Sequence, residues 1–230
     1  TFLLLSGQQS LLGSGAGTER TGQYIWNDVE REVQLMDCMS NSNTMGTVVV
    51  GSAGPEQTFA RGVYAAHPDG VVLFKFAQGG VAVTAEAAAA GASGAVENDA
   101  GTIWQDLKES WNDFRSALLR DLGRTPDLQG FIISIGENDT LVEASTEEFR
   151  TAAGVFVDDL RETFSTRTSG QPTPVVWLQG PPFNGDTGIA EGFGTTLNTK
   201  DRRDIYRETV AKLASTKQRL TVLPGNGDRY

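Results

Sequence analysis

Histidine and cysteine are almost missing from this chain: one of each stands among 230 residues. Cys38 alone closes no intrachain disulfide and no CxxC metal site, which leaves the redox compartment open. Glu137 and Asp139 stand close together, but no histidine or further carboxylate cluster accompanies them. Neither a metal centre nor a glycosidase dyad is expected there, and no cofactor is implied. Positive charge is scarce as well, with 19 Lys plus Arg against 29 Asp plus Glu and a net charge of −10 at pH 7. An acidic surface repels phosphate backbones, so nucleic-acid binding through a basic face is disfavoured. The longest apolar stretch, 81–90, is interrupted by Thr84 and Glu86, so no membrane insertion is expected. The run at 2–5 lacks the length and basic flank of a signal peptide, and the chain starts at Thr1. It therefore reads as a processed chain or a piece of a longer one.

What is present suits one sizeable core: 39% of residues are hydrophobic and 8% aromatic, and residues 1–230 read as a single domain. Apolar runs at 2–5, 71–76, 131–135, 174–178 and 220–223, with a weaker one at 48–50, are continuous rather than alternating. That is the pattern of strands buried on both faces of a parallel sheet. Between them, Ile103, Leu107, Trp111, Phe114 and Leu118 recur at helical spacing, as do Phe149, Ala153, Phe156, Val157, Leu160 and Phe164. A third helix is expected over 201–214 with Ile205, Val210 and Leu213 inward, and a shorter one after Pro55 and Glu56. Ser145, three residues before Glu148, has the capping-box spacing and marks the start of the second helix. Strand and helix alternate, so the expected fold is α/β: three layers, α/β/α, around a mostly parallel five-stranded sheet of flavodoxin-like type. Two Gly- and Ser- or Thr-rich stretches, 13–45 and 180–199, read as long irregular loops.

In such a sheet, ligands bind in the crevice at the carboxyl ends of the strands, so the residues following each apolar run matter most. They are Ser6-Gly7-Gln8-Gln9-Ser10, then Ala77-Gln78-Gly79-Gly80, then Gly136-Glu137-Asn138-Asp139, and last Gly225-Asn226-Gly227-Asp228. A hydroxyl, a glycine pair, an Asn and an Asp together suit acyl transfer. The Ser attacks a carbonyl while Gly N–H groups and the Asn amide donate to the oxyanion.

Four segments in this order resemble the SGNH, or GDSL-type, hydrolases, most closely the branch of sialate O-acetylesterases and acetyl xylan esterases. That branch opens with LLAGQSNMAG, here Leu4-Leu5-Ser6-Gly7-Gln8-Gln9-Ser10-Leu11-Leu12-Gly13. It continues with GPE, here Gly54-Pro55-Glu56, and LIKxAxGG, here Leu73-Phe74-Lys75-Phe76-Ala77-Gln78-Gly79-Gly80. Its QGExD is matched by Gly136-Glu137-Asn138-Asp139 after Ile135, which also reads as the GxND of the wider superfamily. The resemblance implies hydrolysis of O-acetyl esters on a carbohydrate, with Ser10 as nucleophile and Gly80 and Asn138 as oxyanion donors. It further implies Gln8, Gln9, Glu56, Gly79 and Glu137 on the substrate side, and Asp228 orienting a histidine.

Two departures define the alternatives. Aligned without a gap, Gln9 occupies the nucleophile position, and a one-residue slip in the turn makes Ser10 the equivalent. The family's DxxH, begun at Asp228, would place its histidine beyond Tyr230, and His67 reads as a surface turn before Pro68-Asp69-Gly70. The alternative is a non-catalytic domain of the same fold that binds glycan or serves as a structural part of a larger extracellular or virion assembly, such as a phage tail or fibre, alongside other subunits. Nucleotide binding ranks last, because no GxGxxG or Walker loop follows the first run. Trp111 and Trp177 read as core, whereas Trp26, with Tyr24 in the long loop, is the candidate for stacking on a sugar ring.

Overall fold

Residues 2–6, 20–27, 32–36, 40–44, 47–49, 55–67, 70–92, 94–96, 102–166, 170–179 and 200–223 are described by a computed structural model. The first half holds β1 (Phe2–Ser6), β2 (Arg20–Asn27), β3 (Glu32–Met36), β4 (Ser40–Thr44), β5 (Thr47–Val49), α1 (Pro55–Tyr64), β6 (Val71–Ala77), β7 (Val81–Ala82), α2 (Ala85–Ala89) and β8 (Gly94–Ala95). The second half holds α3 (Thr102–Leu122), β9 (Gly130–Ser134), a 3₁₀ turn (Glu137–Thr140), α4 (Glu143–Phe164), β10 (Val175–Leu178), α5 (Lys200–Thr216) and β11 (Leu220–Leu223).

The main sheet runs β11-β10-β9-β1-β6-β2-β3, with every pairing parallel except β2 with β3. Crossovers between parallel strands are right-handed, so the direction of each step decides which face its helix covers. The steps β6 to β9, β9 to β10 and β10 to β11 all run one way and set α3, α4 and α5 on one face; β1 to β6 runs the other way and sets α1 opposite. Burial agrees. Phe74 and Phe76 of β6 join α3 and α4 in the large core, while Val71 and Leu73, on the alternate face, pack with Ala60 of α1. The direction of winding reverses beside β1, and it is at such a reversal, at the strands' carboxyl ends, that doubly wound sheets bind their ligands.

Aromatic rings fill the larger core. Trp111 meets Phe74 edge-on at 5.3 Å and Phe164 at 5.8 Å, and Trp177 meets Phe149 at 6.2 Å and Phe156 at 6.3 Å. Each such pair adds about 0.5–1.5 kcal/mol to the burial itself. Trp104, Trp111 and Trp177 are accordingly structural.

Four expectations are corrected. The sheet has seven strands rather than five, because β2 and β3 form within the stretch read as irregular. Tyr24 and Trp26 lie on β2 rather than in a loop, in a segment of aromatic and β-branched residues that suits a strand. Ser145 is no N-cap: the chain enters α4 at Glu143 directly from the 3₁₀ turn, and the Ser145 hydroxyl instead donates to the carbonyls of Asp139 at 2.6 Å and Val142 at 3.0 Å. In α5, Val210 is buried as expected, but Arg203 and Tyr206 share that face, while Ile205 and Leu213 are only half-buried.

Candidate active site

Strand register sets the frame. Ser6, the last residue of β1, pairs with Ala77 at the end of β6 and with Ser134 at the end of β9. The segments that follow β6 and β9 therefore leave the sheet on either side of the end of β1. After β6 come Gln78, buried Gly79 and half-buried Gly80, whose φ of +83° is one that glycine adopts without strain. After β9 come Ile135, Gly136 and the 3₁₀ turn, all of them buried.

Two side chains of that turn grip the segment after β6. Asn138 Nδ2 donates to the carbonyl of Val81 at 3.0 Å. The Asp139 carboxylate accepts from the amides of Val83 and Thr84, each at 2.8 Å, and from the Thr84 hydroxyl at 2.6 Å. Thr84 caps α2 in the same stroke, accepting from the Ala87 amide. The Asp139 carbonyl is held in turn by the hydroxyls of Ser145 and Thr146. Burial pushes the Asp139 carboxyl up to about 7, against the pull of its three donors.

Below the turn sits a second polar layer. The Ile135 carbonyl accepts from Trp177 Nε1 at 3.2 Å and from the Tyr206 hydroxyl at 3.3 Å, and that hydroxyl also lies 3.5 Å from Glu137 Oε1. Burial lowers the pKa of the Arg203 guanidinium, and the Glu137 carboxylate opposes the shift. Arg202 donates to the carbonyls of Thr140 and Leu141. The first turns of α5 thus fasten the 3₁₀ turn from beneath.

Of the residues named from sequence, Gly79, Gly80, Glu137 and Asn138 are brought together on these two interlocked turns. Glu137 is buried, its carboxylate directed at Tyr206 and within the field of Arg203. Glu56 is the second residue of α1. Gln8, Gln9, Ser10 and Asp228 lie outside the described residues. His67 is exposed between α1 and β6, at the amino end of a seven-residue strand, about 20 Å from the carboxyl end where Gly79 and Gly80 stand.

Sequence reasoning missed Thr84, Arg203 and Tyr206. A Thr immediately before an Ala-rich run is an N-cap signal and pointed to Thr84. No local pattern pairs it with Asp139, 55 residues away. Among the described residues, no group of three His, Cys, Asp or Glu could hold a metal, and no helix is long and apolar enough to cross a membrane.

No family model matches this chain, and no curated protein does. Among solved structures, a protein of Arabidopsis thaliana superposes with a TM-score of 0.65 at 15% identity, covering 100% of this chain and 87% of that one. NanS superposes with a TM-score of 0.61 at 14% identity, covering 99% of this chain and 78% of that one. A carbohydrate acetylesterase from Xanthomonas citri gives a TM-score of 0.49 at 14% identity, over 99% of this chain and 51% of that one. The first two likenesses establish a shared α/β fold.

Proposed function

We propose that this chain is an SGNH-type carbohydrate esterase domain that cleaves O-acetyl esters on a glycan through a serine nucleophile. The observation that supports it best is the interlocking of the turns after β6 and β9 beside the end of β1, which brings Gly80 and Asn138, the two donors the reading calls for, onto hydrogen-bonded turns. In this reading the Ser10 oxygen attacks the acetyl carbonyl, and the carbonyl oxygen takes up the negative charge between the Gly80 N–H and the Asn138 amide. The tetrahedral species expels the sugar hydroxyl and leaves an acetyl-serine, which water hydrolyses by the same route. An imidazole takes the serine proton and returns it to the leaving sugar oxygen. His67 stands at the far end of the sheet. The reading therefore assigns the base to the DxxH arrangement begun at Asp228, whose carboxylate orients it. The reading assigns Gln8, Gln9, Glu56 and Gly79 to the acylated carbohydrate, while Glu137, turned toward Tyr206 and Arg203, contributes by shaping the turn that carries Asn138.

A second reading is favoured by one observation: without a gap in the first turn, Gln9 holds the nucleophile position, and an amide does not attack esters. The domain then binds its glycan without cleaving it. Acetate release from an O-acetylated sugar by the native protein, compared with Ser10→Ala and Gln9→Ala, separates the two. The esterase reading expects turnover lost in Ser10→Ala and kept, at altered KM, in Gln9→Ala. Absence of turnover in the folded native protein, with retained glycan binding, establishes the second reading instead.

A further inference from the structure

We infer that Asp139 is a positioning residue that sets the separation of the two oxyanion donors, by clamping the Gly80-bearing segment after β6 to the turn that carries Asn138. The inference rests on the esterase reading and gives a function to a carboxylate that the reading leaves idle.

The geometry is specific. Gly80 stands three residues past the end of β6, and its positive φ bends the chain so that Val81 and Ala82 pair with β8 and Thr84 opens α2. Val81 and Val83 are buried in the large core, and the clamp adds directed hydrogen bonds to that packing: Asn138 takes the Val81 carbonyl, and Asp139, next in the chain, takes the amides of Val83 and Thr84 and the Thr84 hydroxyl. Successive side chains of one turn thus hold Val81, Val83 and Thr84 of the other. The Asp139 backbone is anchored through its own carbonyl by Ser145 and Thr146, so the clamp hangs from α4, a 22-residue helix.

The clamp also orients the amide of Asn138. An asparagine NH₂ has two hydrogens, and the Val81 carbonyl accepts one of them. That contact demands that Nδ2 rather than Oδ1 face Val81, and it leaves the second N–H for the oxyanion. Without Asp139, Val81 and Gly80 drift relative to Asn138, and a displacement of about 1 Å in such a site costs on the order of 100-fold in rate. In the esterase reading Gln8, Gln9 and Glu56 belong to other segments than the one that is clamped, so substrate binding changes little.

The test is Asp139→Asn in the native protein, in which one of the three donors faces an amide instead of an acceptor. The expected result is a folded variant with kcat reduced roughly 10- to 100-fold, KM within threefold of wild type, and faster amide exchange at Gly80, Val83 and Thr84. Unchanged kcat in the variant, with an active wild type, overturns the inference and leaves the esterase reading standing. A wild type without turnover sinks the esterase reading, and this inference with it; accelerated exchange then shows a clamp without a catalytic use. Should Asp139→Asn fail to fold, Thr84→Val removes the hydroxyl donor together with the cap on α2 and keeps both backbone donors. A kcat loss of roughly threefold or more at constant KM supports the positioning role, and none refutes it.

Discussion

Replacing Gly136 by alanine offers a sharp test of how the candidate site is built, because two independent costs meet at that residue. Its φ of +110° lies where a side chain is strained, which costs about 1–3 kcal/mol. A Cβ there would stand 2.6 Å from Tyr206 Cε2 and 2.8 and 2.9 Å from Phe149 Cε2 and Cζ. Neither ring has room to withdraw: both are buried, and they pack on each other with centroids 5.4 Å apart. Overpacking of this kind costs about 1–3 kcal/mol, so the sum is about 2–6 kcal/mol. Urea unfolding of Gly136→Ala against wild type measures it. Tyr206→Ala separates the parts: the double variant recovers the steric cost of the nearest ring and keeps the backbone cost, giving a coupling of about 1–3 kcal/mol. A single-variant loss below about 1 kcal/mol, or strict additivity in the double variant, would refute the argument that this turn is shaped by both conformation and packing.

Three further outcomes follow from the same geometry. Burial raises the Asp139 carboxyl to about 7, so the folded state holds a proton that the unfolded chain has released above its ordinary 3.8. Its contribution is full below the lower value and is lost as pH rises through the upper one. Denaturation at pH 5 and pH 8 is expected to show the stability advantage of wild type over Asp139→Asn shrinking by about 2–3 kcal/mol, and a constant gap would contradict it. Asn138→Ala removes the hydrogen bond to Val81 and, on the proposed esterase reading, an oxyanion donor; acetate release is then expected to fall about 100- to 1,000-fold, while unfolding shows a loss of about 1 kcal/mol. His67→Ala, at an exposed turn, is expected to change stability by less than about 0.5 kcal/mol and to leave ester hydrolysis as it was.

β6, β9 and β10 were legible because burial inside the sheet writes them as unbroken apolar runs, and the edge strand β11 also stands where such a run is. β2 was hidden because Gln23-Tyr24-Ile25-Trp26 lies among glycines and polar residues, and its pairing with β6 is a tertiary fact that no window of sequence contains. The start of α4 was misplaced for a related reason. Ser145 has the right spacing for a cap, but its hydroxyl finds the Asp139 carbonyl across the preceding turn. At each of the two turns one glycine takes a positive φ, Gly80 in the first and Gly136 in the second. The long-range clamp between Asp139 and Thr84, and the burial of Arg203 and Tyr206 beneath Glu137, carry no local signature at all. They arise only once the sheet order sets the turns after β6 and β9 side by side with α5 below.

The central claim concerns an activated serine in the turn after β1. Its most direct test is incubation of the native protein with a fluorophosphonate probe, followed by intact mass and peptide mapping. The account predicts one adduct, at Ser10, lost in Ser10→Ala. A folded native protein that takes up no probe, or takes it up at another serine, contradicts it.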